Sequence, residues 1–417
     1  MEKEMTDNIQ ANPNVVVEPV VEKNEMPDTA QVDHNALVES VKEKVKNNES
    51  NYYFYCPPLN SASGGIGVLI KLARILKDAG YKSKIVFEPR QDQRASYEES
   101  RKQGKEAVIF EKFNPTWLDF DFSDIEFLPL SDKKTIFYND GTKQDSTALN
   151  VNPEDFFIIP EGFPNVMKKT MQVACKKIIL AQSWFYILNS LNTGETWQGL
   201  GVSDVISVSD AITEYLNIVM PGLNVKSFSQ GINRNLFKVP GKQSNKYPMV
   251  GFMGNRGQEN QMKTFNIIKT FQAFYPHLRW VRFIQLGGLS KKEFAERLSS
   301  CAFVLYTDDI AGFGTLPLEA MASGTHVVGW NAYGGKEYVT AENGFWTVNG
   351  DIFQTAEILG VAIDKWLNGE MDVPEIQQTY EKVLEKYTEE GEKENFLNII
   401  NEYKQERINE LEGLKKQ

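Results

Sequence analysis

The sequence has little cysteine and little histidine. Its 417 residues include three of each. The cysteines, Cys56, Cys175 and Cys301, are widely spaced and odd in number, so the sequence indicates neither a disulfide framework nor a cysteine metal site. We expect three buried thiols in a reducing compartment.

Long apolar runs and a basic surplus are also missing. No stretch approaches the roughly 18 apolar residues that span a membrane, and the acidic N-terminus has no apolar segment of signal-peptide length. These absences predict a cytoplasmic protein. The formal net charge of −11 disfavours a general nucleic-acid binder without excluding a local basic groove.

The first 50 residues contain no aromatic residue, and they carry 11 acidic and five basic side chains. Such a segment buries too little apolar surface to offset its conformational entropy. We therefore predict a disordered acidic tail over residues 1–50, in which a short helix near residues 36–46 is an option.

Residues 51–370 alternate between strand and helix patterns. A β-prone run over 52–56, a small-residue loop over 61–67, a helical repeat and a strand over 84–87 form a βαβ unit. A second series of strands and helices runs over 249–330. Alternation of this kind favours a parallel sheet in each half.

A polar linker with proline and glycine at 239–245 separates the two series. The predicted fold is therefore α/β, with two Rossmann-like parallel-sheet domains, 51–238 and 246–370, that face each other across a cleft. A helical segment over 371–417 should pack back on this body. Residues 90–150 show no pattern that we can assign.

Four segments would converge at the cleft, because ligands of doubly wound sheets bind where strand carboxyl ends meet helix N-termini. In the first segment, the bare backbone of Gly64 and Gly65 can approach a phosphate or a sugar. The second segment contains Gly254, Arg256 and Lys263, and its two cations can hold a diphosphate. The alternatives are a connecting turn for the glycines and solvated surface positions for the cations.

The third segment is the most specific of the four. Gly312, Phe313 and Gly314 form a tight turn whose N–H groups face the cleft. Thr315 follows as a further candidate nucleotide-sugar contact, and Glu319 lies on the helix that follows. A carboxylate at that place can accept both hydroxyl protons of a ribose. An exposed helix acid is the alternative for Glu319.

The fourth segment is a second glycine turn with a carboxylate. Gly335 lies in this turn, and Glu337 follows at a position from which it could orient a sugar. Together with the strand 205–209 and the run 230–233 followed by Phe237, these motifs cover residues 50–370 in order.

On these motifs the chain resembles the retaining glycosyltransferases of family 4, which have the GT-B fold. The resemblance implies an N-terminal acceptor domain and a C-terminal nucleotide-sugar domain. It implies that Arg256 and Lys263 bind the diphosphate, that Glu319 binds the ribose, and that Gly64 and Gly65 lie against the transferred sugar or phosphate. The implied donor is a nucleoside-diphosphate sugar, with no cofactor and no metal, since cations and helix dipoles face the diphosphate in this fold.

Two positions depart from the family pattern. Eight residues before Glu319 the family usually has a glutamate that contacts the donor sugar, and here Ala311 stands there. The family also often has a histidine in the first domain, and none occurs at the matching place. A subgroup with Pro-Glu at that strand end implies that Glu161 orients an acceptor hydroxyl or stabilises charge on the sugar. Capping of the following helix is the alternative for Glu161.

The resemblance leaves the substrates open. The acceptor can be a carbohydrate, a lipid-linked or another hydroxyl compound, and a peripheral membrane contact or a homo-oligomer is not excluded. Three further hypotheses are an epimerase or hydrolase, a non-catalytic partner-stabilising subunit, which Ala311 favours, and a transferase for modified bases of phage DNA. The few histidines speak against the first, and the acidic net charge speaks weakly against the last.

Overall fold

The computed structural model describes residues 34–146, 150–239, 248–254, 257–331 and 333–414. Its strands, in chain order, are Asn51–Tyr55 (β1), Lys82–Phe87 (β2), Glu126–Pro129 (β3), Thr135–Phe137 (β4), Lys143–Asp145 (β5), Phe156–Pro160 (β6), Lys176–Ala181 (β7), Asp204–Ser207 (β8), Asn224–Ser227 (β9), Met249–Phe252 (β10), Arg282–Gln285 (β11), Phe303–Tyr306 (β12), His326–Trp330 (β13) and Phe345–Thr347 (β14).

Helices separate most of these strands. In chain order they are His34–Lys46 (α1), Gly64–Asp78 (α2), Gln93–Gln103 (α3), Pro164–Lys169 (α4), Trp184–Asn189 (α5), Asp210–Val219 (α6), Gly257–Phe274 (α7), Lys291–Ser300 (α8), Thr315–Ala322 (α9), Ile352–Leu367 (α10), Val373–Leu384 (α11) and Glu389–Leu414 (α12). Short 3-10 turns occur at Gln198–Leu200, Pro276–Leu278 and Gly334–Glu337.

Two parallel sheets confirm the predicted α/β fold. The first has the order β3-β2-β1-β6-β7-β8-β9, and the second has the order β11-β10-β12-β13-β14. The neighbours within each sheet pair in parallel. The central strands β6, β7, β12 and β13 are buried along their whole length, which explains their nearly continuous apolar sequences.

One apolar cluster joins the two sheets. It includes Phe54 and Ile179 from the first sheet and continues through Phe313 and Leu318 to Tyr403 of the last helix. A second cluster lies within the second sheet unit, between β10, α7 and α10. The contact between the two sheet units is therefore apolar as well as polar, which limits their independent movement.

The segment before the second half of the first sheet departs from simple alternation. Helix α3 and the antiparallel pair of β4 and β5 lie between β2 and β6. Phe110, Ile136 and Tyr138 form a small apolar cluster of their own there. Strands of three residues give too short a pattern to recognise in the sequence, which is why residues 90–150 could not be assigned.

The prediction of a disordered tail is wrong for residues 34–46. Helix α1 contacts α12, and Val38, Val41 and Val45 are at most 5% exposed. The ammonium group of Lys44 donates to the carboxylate of Glu154 at 2.6 Å. The tail lacks aromatic residues but has valines at helical spacing, and these pack on the last helix. The remainder of the predicted tail, residues 1–33, lies outside the described residues.

The last helix lies against the first sheet unit. Helix α12 contacts α1 and α2, and the Tyr403 hydroxyl donates to the carbonyl of Val205 at 2.7 Å. Lys176 at the start of β7 donates to Glu410 at 2.5 Å. The chain thus returns to the first sheet after completing the second.

Candidate functional site

The carboxyl ends of the two sheets meet through loop contacts. After β7, the Ser183 hydroxyl donates to the carbonyl of Ile310 at 2.7 Å. After β8, the Ser209 hydroxyl donates to the carbonyl of Gly312, also at 2.7 Å. Ile310 and Gly312 lie in the loop that follows β12, so the second unit rests directly on the strand ends of the first.

The glycine turns of the first and third predicted segments both lie close to Gln182. A Cβ atom on Gly65 would be 3.5 Å from the Gln182 amide, whereas one on Gly64 would have nothing within 4 Å. A Cβ atom on Gly312 would be only 2.0 Å from the Gln182 carbonyl oxygen. Packing between the units thus requires glycine at 312. Of these three glycines, Gly64 has free space where a side chain would begin.

Gln182 was not among the predicted residues. It directly follows the last residue of β7. Since residues that follow parallel strands lie at the ligand-binding edge of a doubly wound sheet, its position could have identified it.

The turn at 312–315 sets the start of helix α9. Phe313 is 1% exposed, and its ring centroid lies 5.7 Å from that of Tyr338. Gly314 has φ of +80° and caps the helix, and a Cβ there would be 2.5 Å from the Tyr306 hydroxyl. Thr315 is the first helical residue. Glycine is therefore required at 314 both by conformation and by space.

Glu319 lies in this helix and forms an ion pair. Its side chain is 5% exposed, and its carboxylate accepts from the ammonium group of Lys291 at the start of α8. The backbone N–H of Lys291 donates to the carbonyl of Trp117 in the first unit at 3.2 Å. The predicted ribose ligand thus has a cation beside it that sequence reasoning missed, because 28 residues separate the pair.

Lys263 lies near the carboxyl ends of strands β12 and β13 of the second sheet. Its ammonium group is 3.5 Å from Asp309 and 6.0 Å from the centre of the Trp330 ring. Gly254 follows β10, and a Cβ there would lie 3.2 Å from the Gln285 amide. Arg256, the other predicted diphosphate ligand, lies outside the described residues.

Asp308 and Asp309, which precede the glycine turn, make different contacts. A carboxylate oxygen of Asp308 accepts the backbone N–H groups of Ile310 at 3.2 Å and of Ala311 at 3.1 Å. Asp309 faces Lys263. Ala311 itself is 5% exposed. Among the residues that the structure describes, no group of three histidine, cysteine or acidic side chains is arranged to hold a metal ion.

Glu337 reaches across to the first unit. Its carboxylate accepts the backbone N–H of Asp210 and that of Ala211, the latter at 3.3 Å, at the start of helix α6. A negative charge at a helix N-terminus is favourable, and burial raises the pKa of Glu337. Gly335 is buried beside it. The structure places these two residues in the contact between the units.

Glu161 is buried at the end of β6. Its carboxylate accepts the backbone N–H of Ser183 at 2.8 Å, and burial raises the pKa of Glu161 to about 7. It therefore supports the start of α5, not the helix that follows it in sequence. Because the Ser183 hydroxyl also donates to the carbonyl of Ile310, Ser183 links Glu161 to the second unit.

The comparisons with known proteins agree with this architecture. Residues 278–393, which include the glycine turn and Glu319, match the family model described as glycosyl transferases group 1. The matched segment makes up 116 of the 417 residues, so the likeness to the group 1 glycosyl transferases concerns this part of the chain. An alpha-1,6-glucosyltransferase of Actinobacillus pleuropneumoniae is 25% identical over 244 residues, which are 55% of this chain and 69% of that protein.

Solved glycosyltransferase structures share the GT-B fold of this chain. A TarM variant from S. aureus, in complex with fondaparinux, alpha-GlcNAc-glycerol and UDP, has a TM-score of 0.56 at 14% identity over 84% of this chain and 100% of that one. Anabaena HepE with UDP-glucose has a TM-score of 0.56 at 15% identity over 84% and 99%. The pneumococcal O-GlcNAc transferase GtfA with UDP and GlcNAc gives 0.55 at 12% over 87% and 99%. These likenesses establish the fold, and they confirm the predicted GT-B arrangement.

None of the helices in the described part of the chain combines the length and the apolar character required to cross a bilayer.

Proposed function

We propose that this chain transfers a sugar from a nucleoside-diphosphate sugar to a hydroxyl group of a saccharide, with retention of the anomeric configuration. The observation that carries the proposal is the position of Lys263 and Glu319. Both lie at the carboxyl edge of the second sheet, near the glycine turn that opens helix α9. Glu319 lies within the group 1 match, and Lys263 precedes it in the chain. A cation, a helix start and a carboxylate suit the diphosphate and the ribose of such a donor.

The ribose would displace the ammonium group of Lys291 from one side of Glu319. Glu319 would then accept the ribose hydroxyl protons, while Arg256 and Lys263 would hold the diphosphate. Lys263 would then contact the diphosphate in addition to or in place of Asp309, which is 3.5 Å from its ammonium group. Nucleoside diphosphates in several of the similar structures support this class of donor.

In the transfer step the bond between the anomeric carbon and the diphosphate oxygen breaks. The acceptor oxygen bonds the same face of the anomeric carbon, and the acceptor proton passes to the departing phosphate oxygen. Fixed cations and N–H groups aimed at the diphosphate stabilise the charge that develops there. Glu161 supports the inter-unit contact behind this site through Ser183.

Detection of a product tests the proposal. The purified chain is incubated with a panel of nucleotide sugars and saccharides, and products are identified by mass spectrometry. The proton coupling constant of the new anomeric centre, measured by NMR, should match that of the donor. An inverted product would contradict retention, and a covalent glycosyl-enzyme would contradict direct attack by the acceptor.

A non-catalytic nucleotide-sugar-binding subunit is the second candidate. Ala311 favours it, because a methyl group cannot replace a carboxylate that contacts the donor sugar. In that case calorimetry would record nucleotide binding while the same panel of donors and acceptors gives no product.

A further inference from the structure

A cavity of about 340 Å³ lies in the first sheet unit, outside the contact between the units. Its floor is made of aromatic rings that are buried or nearly so, among them Phe87, Phe113 and Tyr138. The Phe87 and Phe113 ring centroids are 5.3 Å apart, with the rings edge to face. Pockets with an apolar floor and a few placed polar groups are typical of small-ligand sites.

Polar side chains form the rim of this cavity. The Lys112 ammonium group lies 4.2 Å from the centre of the Tyr138 ring. The Tyr138 hydroxyl donates to Gln144 at 3.1 Å, and the Gln144 amide donates to the carbonyl of Phe127 at 2.8 Å. Asn114 completes the rim and is exposed. The two hydrogen bonds fix the orientation of the Gln144 side chain in advance, which lowers the entropic cost of binding.

The cavity wall is attached to the loop that precedes the glycine turn of the first unit. The side-chain amide of Asn60 donates to the Lys112 carbonyl at 2.8 Å and accepts the Asn114 N–H at 2.8 Å. Asn60 lies between β1 and the first residue of α2, Gly64. The cavity and the open glycine therefore lie on the same edge of the first sheet.

The same wall continues to the second unit. Trp117, three residues after Asn114, lies 3.5 Å from the place of a Cβ on Gly67. Its carbonyl accepts the N–H of Lys291, whose ammonium group contacts Glu319. One short segment thus runs from the cavity past the glycine turn to the predicted ribose carboxylate.

We propose that this cavity binds a pyranose unit of the saccharide acceptor. A pyranose has an apolar face of C–H groups and a polar circumference of hydroxyls. The aromatic rings at the floor of the cavity suit the C–H face of the sugar. The amide groups of Gln144 and Asn114 and the ammonium group of Lys112 suit its hydroxyls. The inference rests on the proposed function, since it identifies where that reaction holds its acceptor.

Binding can be tested without knowledge of the natural acceptor. The probes are the methyl glycosides of glucose, galactose, mannose and N-acetylglucosamine, observed by saturation-transfer NMR on the full chain in the presence of UDP. Two rim variants are compared with the wild type. Asn114→Trp fills the cavity with an indole, and Lys112→Met removes the charge while it keeps the apolar stem. Asn192→Trp, at another exposed asparagine away from the cavity, is the matched control.

The proposal requires saturation transfer to at least one glycoside in the wild type and in Asn192→Trp. It requires a loss of most of that signal in Asn114→Trp and a reduction in Lys112→Met. No transfer to any of the glycosides in the wild type, or wild-type signals in both rim variants, would overturn it. Calorimetry with UDP is run on the same samples, so a failure of nucleotide binding, which concerns the proposed function, is distinguished from a failure of this site.

Discussion

The two sheet units differ in how they expose their strand ends. In the second unit the loops after β12 and β13 are short, and their residues are bound to one another or to the first unit, as in Gly312 and Glu337. In the first unit the segment between β2 and β6 is long and encloses a cavity. In the first unit, helix α2 also begins at Gly64, where an added Cβ atom would have nothing within 4 Å. The strand ends of the second unit, the proposed donor side, are therefore closely packed, whereas those of the first unit, the proposed acceptor side, leave more space.

Glu161 gives the largest expected effect, and it tests the first unit. Because its folded pKa of about 7 is above the usual 4.5, its stabilising contribution is present at low pH and is lost as the pH rises through 7. Glu161→Gln keeps an acceptor for the Ser183 N–H without this charge. Its free energy of unfolding should therefore rise relative to the wild type by roughly 3 kcal/mol from acidic to alkaline pH. Urea unfolding at a series of pH values measures this, and a constant difference would contradict it.

Glu319→Gln tests the donor side. The change removes the charge that Lys291 and a ribose would share, so we expect affinity for UDP to fall about tenfold to a hundredfold. Glu296→Gln changes an exposed acid on the neighbouring helix α8 and serves as the control. Calorimetric titration with UDP compares them. Equal affinity for UDP in both variants would show that Glu319 does not bind the nucleotide.

A pair of glycine substitutions compares the two units directly. In Gly312→Ala the new methyl group would meet the Gln182 carbonyl and the Ile212 side chain, so the units must shift, at a cost of about 1–3 kcal/mol. In Gly64→Ala the methyl group has open space, so stability should be unchanged. Transfer should slow, because the proposed sugar or phosphate of the donor would lie in that space. Thermal unfolding and product formation are the two measurements. Equal stability of both variants would show that the contact at Gly312 does not hold the units together.

The smallest effect concerns helix α1. Val45 is 1% exposed against the body, whereas Val348 is 66% exposed. Val45→Ala should lower the free energy of unfolding by about 1–2 kcal/mol, and Val348→Ala should leave it nearly unchanged. Chemical denaturation of both variants measures the difference. If the two valines behave alike, α1 is not part of the folded core.

The sequence predicted the second sheet better than the surroundings of the site. Strands β10, β12 and β13 were recognised because each is a short apolar run between helical repeats. The valines of α1 were overlooked because composition was judged over the whole tail. The contacts of Gln182 and Lys291 depend on residues far away in sequence, so no local pattern reveals them. For the same reason the contact of the Glu337 carboxylate with the start of α6 was not foreseen, and its role beside a sugar stays a prediction.

Hydrogen-exchange mass spectrometry with and without UDP tests the central claim most directly, because it locates the nucleotide. We predict slower exchange of backbone amides at the start of α7, around Lys263, and in the turn and first residues of α9, around Gly314 and Glu319. Exchange at the cavity of the first unit should change little until a saccharide is added. Protection that is confined to the first sheet unit, or no protection at α9, would contradict the assignment of the donor side.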